Sequence, residues 1–127
     1  MADKLTARQQ SQLAQLRGFP ALLEQLHRLI EEIAGLRADE TLVRRLCRLL
    51  DTRKATADSV GLNSLAETMG TMSTIARRGG GIQMKISGLR DGLRSLKTNY
   101  EGALREASTP PRMDGETPED RPPSVSG

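Results

Sequence analysis

The sequence predicts an all-α fold: a helical hairpin or open bundle with coiled-coil character, followed by a disordered C-terminal tail. Three observations carry that prediction. Ile82, Ile86, Leu89, Leu93, Leu96, Tyr100 and Ala103 recur at alternating intervals of four and three residues, which lays one apolar stripe along a helix. A second seam runs through Leu22, Leu26, Leu29, Ile33, Leu36, Val43, Cys47 and Leu50, interrupted at Glu40. Phe19 and Tyr100 are the only aromatic residues, so the core must be built from Leu, Ile and Met, which suits thin helical packing.

The elements follow in order. Residues 4–17 read as a short helix with Leu5, Leu13 and Leu16 on its apolar side and Gln9, Gln10, Gln12 and Gln15 elsewhere. Gly18-Phe19-Pro20 ends it, with glycine suited to a C-terminal cap and proline to the first turn of the next helix. Phe19 is placed to pack on Leu23 as a hydrophobic staple. From Pro20 the apolar count continues across Ala38–Thr41, favouring one long helix with Glu40 as a polar interruption; a new helix capped by Asp39 is the alternative. The pattern lapses from Asp51 to Ala57. A weaker helix follows to Arg78, with Leu62, Leu65, Met69 and Met72 on its seam and Gly61 and Gly70 within it. Gly79-Gly80-Gly81 is the clearest break, and a glycine link between two striped helices suggests an antiparallel hairpin or, extended, two helices that zip onto other chains. Gly88 and Gly92 on the last helix let a neighbour approach closely, which offsets part of their cost in helix propensity. From Thr109 onward proline, glycine and charge dominate, and the segment cannot bury enough apolar surface to order itself. The chain therefore divides into 1–19, a short helix and turn; 20–108, a helical domain; and 109–127, a disordered tail.

Charge is spread unevenly. Ten basic and seven acidic residues precede Ala55, seven and five occupy 55–108, and two and four occupy the tail. Neither half is basic enough to demand nucleic acid. One cysteine, Cys47, rules out an intrachain disulfide and a multi-cysteine zinc site, and its seam position reads as a small buried hydrophobe. No apolar run has the length of a signal peptide or membrane span, so the expected location is cytoplasmic, with nuclear as the variant.

Catalytic constellations are not evident, and no enzyme, cofactor or metal site is expected. His27 is the single histidine and sits on a helix flank. Phosphotransfer histidine domains are helical bundles of this size that resemble one another in a histidine followed three residues on by lysine and then glycine. His27-Arg28-Leu29-Ile30-Glu31 has neither, so His27 does not mark such a domain. Glu31 and Glu32 are adjacent rather than stacked on one face, and the triple glycine lacks the lysine of a phosphate loop. Arg44, Arg45 and Arg48 form a basic cluster that could contact phosphates, although no aromatic side chains accompany it for base stacking. Thr109-Pro110-Pro111-Arg112 makes Thr109 a candidate site for a proline-directed kinase, which would add negative charge beside a helix C-terminus.

The expected function is that of a non-enzymatic subunit or adaptor of a larger complex, a homo- or hetero-oligomer with other helical subunits. The interface is assigned to Ile82, Ile86, Leu89, Leu93, Leu96 and Tyr100, supported by Leu26, Leu29, Ile33 and Leu36. In size and helical pattern the chain resembles small coiled-coil subunits of eukaryotic assemblies, of the lysosome-positioning (BLOC or BORC) or kinetochore kind. That likeness has no motif and carries over no functional residue. A nucleic-acid-binding regulator using the arginine stripe, and a secretion or assembly chaperone, are the alternatives.

Overall fold

The computed structural model describes residues 4–36, 40–78 and 80–111, with the side chain of Leu36 outside that description. It is all-helical: α1 (Ala7–Leu16), α2 (Phe19–Leu36), α3 (Glu40–Ser59), α4 (Asn63–Arg77) and α5 (Ile82–Ser108). The tail from residue 112, with its predicted disorder, and Ala38 and Asp39 of the predicted weak point lie outside the described residues.

The longest apolar stripe forms the longest helix. α5 has 27 residues, and its stripe decides which neighbours it meets. Phe19 at the start of α2 stacks on Tyr100 near the end of α5, with ring centroids 5.6 Å apart. Glu31 near the end of α2 pairs with Arg90 near the start of α5. The two helices are therefore antiparallel. Met72 and Ile75 of α4 lie against Gly92 and Gly88 of α5, again antiparallel, so the hairpin at the triple glycine is the arrangement adopted. Asp51 of α3 meets Ser73 and Arg77 of α4, and the Lys54 stem lies over Gly70. Each of α2 to α5 packs on its neighbour in sequence, and α5 closes the ring onto α2. The result is an up-down-up-down four-helix bundle. Its core is aliphatic: Leu22, Leu26, Ile30, Ile33, Leu46, Leu50, Leu65, Met69, Met72, Leu89 and Leu96 are almost wholly buried.

Two expectations need correction. The residues from Pro20 to Leu50 do not form one helix, because α2 ends at Leu36 and α3 begins at Glu40 and runs back antiparallel. The continuous four-three count across Glu40 reflects two helices that face one core. The pattern also does not lapse at Asp51–Ala57, because α3 continues to Ser59. Between the buried Leu50 and Ala57, Arg53 and Lys54 are half-buried and present aliphatic stems where a helix count expects a hydrophobe.

The real end of α3 is a glycine cap. Gly61 has φ +79°, the Leu62 N–H donates to the Ala57 carbonyl at 2.9 Å, and the Gly61 N–H donates to the Asp58 carbonyl at 3.1 Å. This is a Schellman motif, with buried Leu62 and Ala57 making its hydrophobic contact. The Arg8 guanidinium lies directly over Gly61, where a Cβ would stand. Gly61→Ala is therefore expected to cost about 1–2 kcal/mol through left-handed backbone strain alone, read as a fall in urea midpoint at constant slope.

α1 covers the end of the bundle where α3 and α5 both terminate. Thr6 and Gln9 form a capping box: the Gln9 N–H donates to Thr6 Oγ1 at 3.0 Å and the Thr6 N–H to Gln9 Oε1 at 2.9 Å. Gln9 Nε2 then donates to the carbonyls of Glu106 (3.1 Å) and Thr109 (2.7 Å), and Gln12 Nε2 donates to that of Val60 (2.9 Å). Two glutamines of α1 thus tie the C-terminal ends of α3 and α5 to the start of the chain through backbone carbonyls.

Candidate functional site

The residues assigned from sequence to a partner interface come together on α2 and α5, but most are spent inside the molecule. Leu26, Leu29, Ile33, Ile86, Leu89 and Leu96 are buried in the bundle core, and Ile82, Leu93 and Tyr100 are half-buried at its edge. The two seams largely satisfy each other within one chain. Above them, α2 and α5 leave an open groove of about 910 Å³. Its floor includes Leu23, Leu93 and Tyr100, all half-buried. Its rims carry Glu24, His27, Arg28 and Glu31 from α2 and Arg90, Arg94, Lys97 and Glu101 from α5.

At the far end of the groove Arg90 clasps Glu31 through two hydrogen bonds, Nε to Oε2 at 2.8 Å and Nη2 to Oε1 at 2.7 Å. The Arg90 hydrogen bond holds the Glu31 carboxyl below its usual range. Both side chains stay substantially exposed, so the clasp fixes geometry more than it stabilises.

The opposite face of the bundle, between α3 and α4, carries a second constellation. Ser73, 2% exposed, donates from Oγ to Asp51 Oδ1 at 2.8 Å, and Arg77 bonds both Ser73 and Asp51. The Arg77 bond lowers the Asp51 carboxyl below its usual range. Beside this network lies a notch of about 390 Å³ lined by Val43, Arg44, Cys47, Arg48, Asp51, Thr52 and Arg77. Arg44 and Arg48, named from sequence as nucleic-acid contacts, flank it. Arg45 is exposed on α3 but does not line it. Among the described residues no carboxylate pairs with any of the three. Burial pushes the Cys47 thiol up, which opposes thiolate formation.

Thr109 is exposed and ends α5. Its hydroxyl donates to the Arg105 carbonyl at 2.7 Å. His27 stands on the groove rim. Among the described residues no three His, Cys, Asp or Glu side chains are grouped to hold a metal, and no helix is long and apolar enough to cross a membrane.

The Asp51–Ser73–Arg77 network and the glutamine clamps were not assigned from sequence. The spacing of Ser73 and Arg77 by one helical turn was the visible signal for the first. Asp51, 22 residues from Ser73, joins them only through the α3–α4 packing.

Both ion pairs involve carboxyls whose pKa is lowered in the folded state. Their stabilisation is therefore present above the unfolded carboxyl range, about pH 4, and is lost as pH falls through the lower folded values. Thermal melts from neutral pH to about pH 2 are expected to show a steeper acid loss for the parent chain than for the Glu31→Gln, Asp51→Asn double variant. Identical slopes would show that the pairs contribute nothing.

No family model matches the chain, and neither a curated protein nor a solved structure matches it.

Proposed function

We propose that the protein is a non-enzymatic docking subunit or adaptor of a larger assembly, which receives a helix of a partner in the α2/α5 groove. The observation that carries this reading is an apolar floor of Leu23, Leu93 and Tyr100 framed by charged rims along two antiparallel helices. That is the geometry of helix-in-groove recognition, where a partner's apolar ridge fills the groove and rim charges set register. The seams expected to bind a partner directly serve instead to hold these two helices side by side.

The test uses edge residues whose replacement spares the core. Leu93→Glu and Leu23→Glu are expected to stay helical by circular dichroism and to lose the partner that co-purifies with the full chain from its native cell. Arg44→Glu with Arg48→Glu is expected to retain it. Retention by both leucine variants would sink the groove reading.

The α3/α4 face favours a second reading. The bundle places Asp51-Thr52-Arg53-Lys54-Ala55 on α3, with a lysine three residues after Asp51. Phosphotransfer histidine domains share that spacing but carry histidine at the first position and glycine after the lysine. Here a carboxylate and alanine stand instead, and a carboxylate bonded to Arg77 lacks the imidazole that would accept phosphoryl. On this reading the protein docks a partner through α3, at the notch that Arg44 and Arg48 flank, without phosphoryl transfer. Loss of the partner in the Arg44→Glu, Arg48→Glu variant, with retention in the leucine variants, would select it. A salt-sensitive mobility shift of nucleic acid, abolished by the same arginine variant, would instead select the nucleic-acid alternative.

A further inference from the structure

Thr109 is the point where the end of α5 is tied to α1. Its carbonyl accepts from Gln9 Nε2 at 2.7 Å, and its hydroxyl donates to the Arg105 carbonyl at 2.7 Å. The side chain is exposed and the backbone is extended, with φ -104° and ψ 115°. Pro110 and Pro111 follow, and neither has an N–H with which to continue the helix. The threonine-proline pair, with Arg112 three positions on, thus starts one residue past a helix whose last carbonyls are held by another helix. A kinase cleft takes its substrate as an extended chain. For Thr109 to enter one, the last turn of α5 must open and Gln9 must let go.

Phosphate does not suit the docked arrangement either. A phosphoester oxygen has no proton to give to the Arg105 carbonyl. The added negative charge would stand at the C-terminus of α5, where the helix already carries partial negative charge. α3 ends on the same side of the bundle, and Glu106 adds a carboxylate. Two cations of this end are placed elsewhere: Arg8 lies over Gly61 at the α3 cap, and the Arg105 guanidinium is turned back toward Gly102. We propose that Thr109 is a phosphorylation site for a proline-directed protein kinase, and that phosphate there and α1 docked through Gln9 exclude each other. In the transfer, Thr109 Oγ1 bonds the γ-phosphorus of ATP as the bond to the ADP oxygen breaks. The hydroxyl proton passes to the general base of the kinase. The last turn of α5 then frays, Gln9 loses both of its carbonyl acceptors, and α1 undocks. The coupling runs both ways, so a chain with α1 released is the better substrate.

The test uses the full chain with Thr117→Ala, which removes the other threonine that precedes a proline. It is incubated with a purified proline-directed serine/threonine kinase and Mg-ATP. Peptide mapping is expected to place one phosphate on Thr109. Amide hydrogen exchange across Ala7–Leu16 is expected to rise at least about tenfold in the phosphorylated chain, with the segment around Leu89 unchanged. Gln9→Glu isolates the clamp. Its carboxylate still accepts from the Thr6 N–H in the capping box, but it has no N–H for the Glu106 and Thr109 carbonyls. This variant is expected to take up phosphate at least about threefold faster than the chain with Gln9. Absence of phosphate from Thr109 in both chains would overturn the site. Phosphate on Thr109 with α1 exchange unchanged or slowed, or equal rates in the two chains, would overturn the coupling.

Discussion

Leu89→Asp is expected to unfold the protein rather than merely detach a partner. Leu89 is wholly buried in the N-terminal third of α5. Shortening it to alanine would cost about 2–5 kcal/mol through lost transfer energy and a cavity. Aspartate adds the cost of burying a carboxylate with no partner, which competes with the entire stability of a small domain, about 5–15 kcal/mol. Far-ultraviolet circular dichroism of the purified variant is expected to show collapse of the helical signal at neutral pH. A folded Leu89→Asp variant with a cooperative melt would show that α5 is held less tightly than its burial implies. The contrast is Leu93→Asp, four residues on and half-buried, where water reaches the new carboxylate and the loss is expected to be nearer 1 kcal/mol. Interface experiments should therefore alter Leu93 and leave Leu89 intact.

Gly92→Val is expected to force α4 and α5 apart. A Cβ at Gly92 would stand 2.5 Å from Cγ and 3.2 Å from Sδ of Met72, and Met72 is itself fully buried. The branched side chain cannot enter without shifting Met72 off its place in the core, at about 1–3 kcal/mol for overpacking of this kind. Equilibrium unfolding in urea checks it. Gly92→Val, Met72→Ala is the informative companion: relief in the double variant relative to the sum of the singles would locate the cost in that contact. Additive losses would place it elsewhere.

Much of the architecture can be read from residue order. The apolar stripe of α5, the starts of α2 at Gly18-Phe19-Pro20 and of α5 at the triple glycine, and the close approach at Gly88 and Gly92 all follow from side-chain period and backbone preference. These are local properties of consecutive residues. The extent of α3 was not legible because Arg53 and Lys54 count as polar in any pattern, although their stems occupy core register positions. The stack of Phe19 on Tyr100 was not legible either, since its two rings stand 81 positions apart.

The sequence by itself determined that this chain is helical, where most helices lie, and which side chains avoid water. The tertiary structure alone decided what those side chains avoid water against. A four-three stripe is satisfied equally by a partner chain or by another stripe of the same chain, because burial is non-directional and rewards any apolar neighbour. Here the short α4–α5 turn and the return of α3 on α2 bring the two seams together, so the core is internal. The α2/α5 groove, the Asp51–Ser73–Arg77 network and the Gln9 and Gln12 clamps arise only from that pairing, since each joins groups far apart in the chain.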